Sequence, residues 1–396
     1  MMQMVIPTLF GLEGLVADEL RWNGFQGVQV ENGRVFFEGD WAAMARANLL
    51  VRCGERVQIV LGRFPAASFE ELYQGTKRLP WEAYIGVKEA FPVKGSSLDS
   101  ALHSIPDCQK IIKKAIVDHL AGVYGNTWFE ETGAVHQVQF SILKDEVLMV
   151  LDTSGPGLHK RGYRRNSNEA PIRETLAAGI VKLARVHSDS FVCDPMCGSG
   201  TLVIEAAMHA ANIAPGLMRR FAAERWDCVP KQVFTEERKA AKAAIKRSVP
   251  FEARAFDIDP NAVTLTAENA AKAHVDHLIR VEQRDIIKFK PDLADFTRQK
   301  KAMVLCNPPY GERLLDVQEA EKLYRTLGVV FRPTENYSYF IITPHEDFEN
   351  LFARKADKKR KLYNGMLKCQ LYMYYSERNS AKSNSQGRNK KGSIQR

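Results

Sequence analysis

Residues 303–314 read MVLCNPPYGERL, an apolar run that stops at an asparagine, two prolines and a tyrosine. Proline fixes φ, lacks a backbone donor and drives the preceding residue out of the helical region, so a strand ends here. Turn chemistry alone asks neither for Asn307 at the strand terminus nor for Tyr310 after the prolines. A clamp for an exocyclic amino group uses both. Such a nitrogen is a poor nucleophile because its lone pair is delocalised into the ring. Two acceptors on its N–H groups, the Asn307 side-chain oxygen and the Pro308 carbonyl, would hold it in line with a methyl donor and stabilise the positive charge that develops. Tyr310 offers a face on which a planar base can stack. A plain N-P-P turn is the competing reading.

Three further motifs could serve the donor. DPMCGSGT (194–201) sets Asp194 before Gly198 and Gly200, with Cys197 and Thr201 in the same turn, ahead of a helical run. Glycines admit close backbone approach, and a helix N-terminus carries positive potential. Neither the dinucleotide fingerprint nor a P-loop fits, since the third glycine and the lysine are missing. A turn led by an acid suits a ligand with an ammonium group, such as the methionine end of S-adenosylmethionine. An ordinary βα turn would look the same. In FDID (256–259), Asp257 is placed to take ribose hydroxyls, whereas Asp259 before Pro260 reads as a helix N-cap. Asp285 in QRDI could accept from an adenine amino group or merely cap a turn. Cys306 and Cys197 lie near these motifs, but amino methylation needs no thiol nucleophile and apolar packing suits both.

Ligands of open α/β sheets bind at the carboxyl ends of the strands, and these four motifs follow four apolar runs. From residue 169 onward, strands SFVCDP, FEARAFDID, IRVEQRDI, the 303–306 run and YSYFIITP alternate with helices, including PIRETLAAGIVKLA and NAVTLTAENAAKAH. That order predicts a doubly wound, mostly parallel sheet. It is closed by an antiparallel hairpin, KLYNGMLKCQLYMYYS, turning at Asn364-Gly365. A long helical insertion is expected over 215–248. Upstream, MVIPTL, a helix over Leu12–Asn23, a hairpin at Asn32-Gly33, a helix near Trp41–Leu50 and RVQIVLGRF follow the β-α-β-β-α-β order of a ferredoxin-like unit. Two helical stretches and a hairpin at Lys144-Asp145 fill out an α+β module to about residue 155. The glycine-rich, basic stretch 156–168 reads as a linker, and 379–396 as a disordered basic tail.

At 396 residues, two or three domains are expected. No run of 18 apolar residues points to a membrane span, and residues 1–20 lack a basic n-region, so no signal peptide is expected. Seven scattered cysteines without a CxxC pair suit reduced cytoplasmic thiols rather than a structural zinc. The net charge of +9 is unevenly distributed. Residues 1–155 hold 14 basic against 19 acidic groups, while 351–396 hold 13 against 2. The basic C-terminal end suggests a polyanionic partner, with a merely solvated tail as the alternative.

Taken together, DPMCGSGT, FDID, QRDI and NPPY in this order resemble the class I, S-adenosylmethionine-dependent amino-group methyltransferases. TLFGLEGLVADEL, EGDWAAMARANLLVRCGERV, HKRGYRRNSNEAPIRETLAAGIV, NIAPGLMRRFAAERW, NPPYGERL and KLYNGMLKC make the resemblance narrower. Over about residues 1–377 the chain is similar to the bacterial THUMP-domain methyltransferases that form N2-methylguanine in 23S ribosomal RNA. The resemblance implies an RNA-gripping ferredoxin-like plus THUMP module over 1–155, with its THUMP core from about 45, and a catalytic domain over 169–378. It also implies that Glu174 and Thr175, beside Arg173, help form the cofactor pocket, and that neither a metal nor a covalent enzyme intermediate is used.

Two features depart from simple expectation. The ribose-binding acid lies 57 positions beyond Gly200, and the module expected to hold RNA is net negative. RNA contact would then fall to local groups: Lys110, Lys113 and Lys114 on one helix, Lys160, Arg161, Arg164 and Arg165 in the linker, and Lys358, Lys359 and Arg360 near the C-terminus. For the helical trio, a solvated face is the equal alternative. NPPY also serves tRNA guanine, DNA adenine-N6 and protein glutamine methyltransferases, and a non-catalytic RNA-binding assembly factor could retain the fold.

Overall fold

The computed structural model describes residues 1–164, 172–289, 302–310, 317–334 and 336–376. Arg165, the GERL that follows NPPY, and the tail 379–396 lie outside them. The chain divides into two compact units. The first comprises Met1–Thr8, Val16–Leu158 and Gly216–Ala243; the second comprises Leu9–Leu15, His159–Pro215 and Ala244–Arg396.

The first unit is built on β1 (Met2–Pro7), α1 (Glu13–Trp22), β2 (Gln26–Glu31), β3 (Arg34–Gly39), α2 (Trp41–Leu50) and β4 (Gln58–Pro65). These give the expected β-α-β-β-α-β order. There follow α3 (Phe69–Lys77), β5 (Val93–Leu98), α4 (Ile105–Tyr124), β6 (Gln137–Leu143) and β7 (Glu146–Asp152). Both groups share one seven-stranded sheet in the order β2-β3-β1-β4-β7-β6-β5. The seam is the antiparallel pair β4–β7, running from Gln58 opposite Asp152 to Pro65 opposite Glu146. Local chemistry sets the ends. Lys144 and Asp145 both have positive φ, as a two-residue hairpin turn requires. Ser68 and Glu71 form a reciprocal capping box on α3.

One buried polar network of this unit, from α2 to the residues that follow β7, is closed. Asn48 Nδ2 donates to Thr153 Oγ1 at 2.9 Å and to the Met44 carbonyl at 3.1 Å, while its Oδ1 accepts from Ser154 Oγ at 2.6 Å. Thr153 Oγ1 donates to the Val57 carbonyl, and Ser154 Oγ accepts from the Val57 amide.

The second unit holds α5 (Glu174–Leu183), β8 (Phe191–Asp194), α6 (Thr201–Ala210), β9 (Glu252–Asp257), α8 (Pro260–Lys272), β10 (Ile279–Gln283), β11 (Ala302–Cys306), α9 (Val317–Val330), β12 (Tyr337–Thr343), α10 (Phe348–Leu351), β13 (Lys358–Asn364) and β14 (Leu367–Tyr374). Its sheet order is β10-β9-β8-β11-β12-β14-β13. The first five strands are parallel and the last two antiparallel, as the alternation of elements implies. Aromatic rings fill much of its core, among them Phe256, Phe289, Tyr324, Phe331, Tyr339, Phe348 and Phe352.

The insertion departs from expectation. It is not helical throughout: a short 3-10 turn at Ala222–Arg225 precedes α7 (Val233–Ala243). It also belongs to the first unit, where Trp226 stacks on buried His136 with centroids 4.2 Å apart and donates from Nε1 to the Val135 carbonyl at 3.0 Å. No helix among the described residues is long and apolar enough to cross a membrane.

Candidate active site

Parallel register brings four strand ends to one edge of the second sheet. Val304 is opposite Cys193, Asp194 opposite Ala255, and Gln283 opposite Asp257. Asp285, Asp257, Asp194 and Asn307 therefore follow one another across β10, β9, β8 and β11 at the carboxyl edge, where parallel sheets bind ligands.

Asp194 is buried and accepts from the Met196 amide at 3.2 Å. Burial pushes its carboxyl up to about 8; the Met196 amide opposes this and the charge of Asp257 adds to it. The glycine turn that follows is held from two sides. Cys197 N–H donates to the Phe256 carbonyl at 2.8 Å, and Gly198 N–H to Asp257 Oδ2 at 2.9 Å. From α8, Thr266 Oγ1 donates to the Gly198 carbonyl at 2.9 Å and Asn269 Nδ2 to the Ser199 carbonyl at 3.0 Å.

The two glycines do different work. Gly198 has φ +54°, and a Cβ added there would meet nothing within 4 Å, so this backbone faces open space. Gly200 has φ +78°, and its Cβ would lie 2.7 Å from Thr266 Cγ2, so it permits close packing of α6 on α8. Thr266 and Asn269 were missed from sequence. Their signal was present: two polar residues three apart on the apolar face of α8.

Asp257 Oδ1 accepts from the Asp259 amide at 3.0 Å and Oδ2 from Gly198, which leaves lone pairs on both oxygens. Asp259 caps α8 through the Asn261 amide, as expected. Asp285 does perform turn chemistry, its Oδ1 accepting from Ile287 N–H at 3.0 Å, and its second oxygen remains available.

At the end of β11, Asn307 is partly exposed and Pro308 buried. Asn307 Oδ1 accepts from the Tyr310 hydroxyl, so the tyrosine orients the amide as well as offering its ring. The fully buried Tyr324 donates to the Pro309 carbonyl at 3.1 Å and lies 3.0 Å from Thr343 Oγ1. Cys197 and Cys306 are buried, and burial raises both thiols far above their ordinary range, which suppresses the thiolate a nucleophile would need.

The boundary between the units falls inside the expected linker, after Leu158, but Arg161 to Arg164 pack within the second unit, and part of the phosphate-contact list falls with them. Arg161 is buried with its Nε 3.3 Å from Glu205 Oε1, to which the Tyr163 hydroxyl also donates at 3.2 Å. Arg164 donates to Thr201 Oγ1 and to the Ile172 carbonyl, and its Nε lies 3.6 Å from the buried Glu174. Burial raises the Glu174 carboxyl and Arg164 opposes that. This strap fastens α5 to the start of α6, so Glu174 and Thr201 are joined through Arg164 and neither arginine is open to a phosphate.

Lys113 is likewise committed, pairing with Glu131 at 2.5 Å and lying 3.5 Å from the Phe91 ring centroid. Lys110 and Lys114 are exposed, Lys110 beside Asp107 at 3.5 Å. Lys160, Lys358 and Lys359 are exposed, whereas Arg360 is turned onto the Gly11 carbonyl. Among the described residues, no group of three or more His, Cys, Asp or Glu side chains is arranged to hold a metal ion.

Three family models match the chain: an RlmL ferredoxin-like domain over residues 3–58, a THUMP domain over 66–152, and an RMKL-like methyltransferase domain over 161–373. "Putative RNA methyltransferase YpsC" of Bacillus subtilis (strain 168) is 42% identical over 376 residues, covering 94% of this chain and 96% of its own length. "Ribosomal RNA large subunit methyltransferase K/L" of Psychromonas ingrahamii is 33% identical over 94% of this chain, which spans 50% of that protein's length. Among solved structures, SMU.472, described as "a putative methyltransferase complexed with SAH", superposes with a TM-score of 0.87 at 41% identity, covering 95% of this chain and 98% of its own. A "predicted N6-adenine-specific DNA methylase" from Listeria monocytogenes superposes equally well, with a TM-score of 0.87 at 44% identity and 95% and 96% coverage.

Proposed function

The chain belongs to the RMKL-like methyltransferase family, with ferredoxin-like and THUMP domains ahead of the catalytic domain, and from that premise we propose that it transfers a methyl group from S-adenosylmethionine to the exocyclic N2 amino group of a guanine in RNA, with 23S ribosomal RNA as the substrate and the cytoplasm as the place of action. The observation that carries this reading is the row of strand ends. Asn307 and the Pro308 carbonyl stand on β11, beside the β8 and β9 ends that bear Asp194, the Gly198 turn and Asp257.

The residues present suit the cofactor. Open space in front of Gly198 leaves room for close backbone approach, spare acceptors on Asp257 match two ribose hydroxyls, and buried Asp194 answers an ammonium group. Asp285 keeps one oxygen for an adenine amino group. S-adenosylmethionine, when bound, supplies a sulfonium-activated methyl. The protein's part is to hold the acceptor. A guanine leaves its stack, its ring resting on Tyr310, and its N2 hydrogens are accepted by Asn307 Oδ1 and the Pro308 carbonyl. Those two oxygens favour the positive charge that grows on N2. Neither takes up a proton at neutral pH, so the proton passes to water afterwards.

The clamp would equally fit adenine N6, the acceptor implied by the name of the Listeria relative. The names of YpsC and the K/L proteins support RNA. Purified protein incubated with labelled cofactor and, separately, 23S rRNA, 16S rRNA, tRNA and DNA tests this, with nucleoside analysis of each product. N2-methylguanine in 23S rRNA is expected; label in DNA alone, or in adenine, rejects the assignment.

A further inference from the structure

Beside the clamp stands a hairpin whose surface the methyl transfer does not use. From Lys358 to Tyr374 it carries five basic residues and no acidic one. Pairing places Tyr363 opposite Lys368 and Lys361 opposite Gln370, so these four side chains share one face. Leu362 and Cys369, on the other face, are buried. Lys361 and Lys368 are exposed, and the Lys361 ammonium lies 5.6 Å from the Tyr363 ring centroid.

A second aromatic is brought to the same place from far away in sequence. Phe10, 57% exposed, sets its ring edge-on to Tyr363 with centroids 6.0 Å apart. Its neighbour Gly11 is held by Arg360, whose guanidinium donates twice to the Gly11 carbonyl, at 3.0 and 2.6 Å. At the turn, Met366 is 97% exposed. The turn lies near the site, because Asn364 and Cys369 stand close enough to Tyr310 to act on its hydroxyl. A merely solvated basic face has no use for two aromatic rings and a methionine in water. Bases stack on such rings while ammonium groups take the adjoining phosphates, and that pairing of chemistries is how single-stranded nucleic acid is held.

We propose that the outer face of the β13–β14 hairpin, formed by Lys361, Tyr363, Lys368 and Phe10, is a guide for the single-stranded RNA that adjoins the target base. One flanking base stacks on Tyr363 and Phe10, and the backbone phosphates beside it lie on the two lysines. This rests on the RNA methyltransferase reading and goes past it by assigning the path of the strand. Asn364 and Cys369, on the inner face of the same hairpin, lie beside Tyr310, so a strand that passes from the outer face over the turn reaches the clamp.

The test uses the full chain, a labelled single-stranded RNA oligonucleotide, the same sequence as a duplex, and a series of salt concentrations. The double variant Lys361→Ala/Lys368→Ala should weaken single-strand binding about tenfold and flatten the log–log salt slope by about 1.4, for two lost phosphates. Tyr363→Ala should weaken it about fivefold or more with the slope unchanged. S-adenosylhomocysteine affinity, measured by calorimetry, should stay as in the parent. Single-strand affinity within about twofold of the parent in both variants overturns the guide, and so does equal weakening of the duplex, which would mean diffuse charge alone. A parent chain that binds S-adenosylhomocysteine but no single-stranded RNA also overturns it, while leaving methyl transfer standing. Variant-sensitive RNA binding without any S-adenosylhomocysteine binding upholds the guide and removes the methyltransferase reading.

Discussion

Each of the two units is built on a seven-stranded sheet, and they differ in how one set of polar side chains in each is used. In the first unit, Asn48 on α2 and Thr153 and Ser154 just past β7 satisfy one another and the backbone of Val57. In the parallel sheet, Asp194, Asp257 and Asn307 reach the carboxyl edge with acceptors to spare. Polarity is the same in kind, and Asp194 is as deeply buried as Asn48. Completeness of partners separates them: a closed network specifies the fold, and an open one at a strand end waits for a ligand.

The largest effect that would sharpen this contrast is at the clamp. Asn307→Ala should lower turnover by about 10²–10³-fold, the usual result of removing one preorganised polar group, with cofactor affinity and melting temperature nearly unchanged. Unaltered turnover in single-turnover assays would mean that the open acceptor at the end of β11 takes no part in the transfer. Asn48→Ala should do the reverse, costing about 1–3 kcal/mol of stability in denaturant titration and leaving cofactor affinity intact.

The third effect is linked to pH. Asp194 holds its proton up to about 8 in the unliganded protein, and a cationic ammonium partner favours the ionised form. Binding therefore releases a proton below that pH, so cofactor affinity should fall by up to about tenfold per unit as pH drops below 8 and level off above it. Asp194→Asn should abolish the slope in calorimetric titrations. By the same linkage the empty fold binds more protons than the unfolded chain between the ordinary carboxylate range and pH 8, so this group makes it less stable as pH rises across that window.

Smallest is Tyr324→Phe, which removes the hydroxyl that holds the Pro309 carbonyl. A roughly three- to tenfold loss in turnover is expected, with substrate affinity retained. A loss of stability alone, with turnover unchanged, would place Tyr324 among the closed networks.

Legibility followed the range of the interactions. The hairpin at Lys144-Asp145, the Asp259 cap and the strand that dies at NPPY are written in adjacent residues, so they could be read without coordinates. The same holds for the four acceptors, because each sits at the end of an apolar run. The last hairpin is present too, but its turn is Gly365-Met366, one residue past the expected Asn364-Gly365, because Asn364 still pairs with Leu367. Charge was a poorer guide. Lys113, Arg161 and Arg164 look like phosphate ligands in a string of letters, yet each has found an internal partner that lies elsewhere in the chain.

By itself, the sequence determined element order, the parallel sheet with its closing hairpin, and the residue types at the strand ends, since strand period, turn dipeptides and caps act over a few residues. Tertiary structure alone decided that 216–243 belongs with the first unit, that Thr266 and Asn269 hold the glycine turn, that Phe10 stands beside Tyr363, and which cations stay exposed. Those outcomes depend on which distant groups meet, and a buried charge or amide takes its role from that partner.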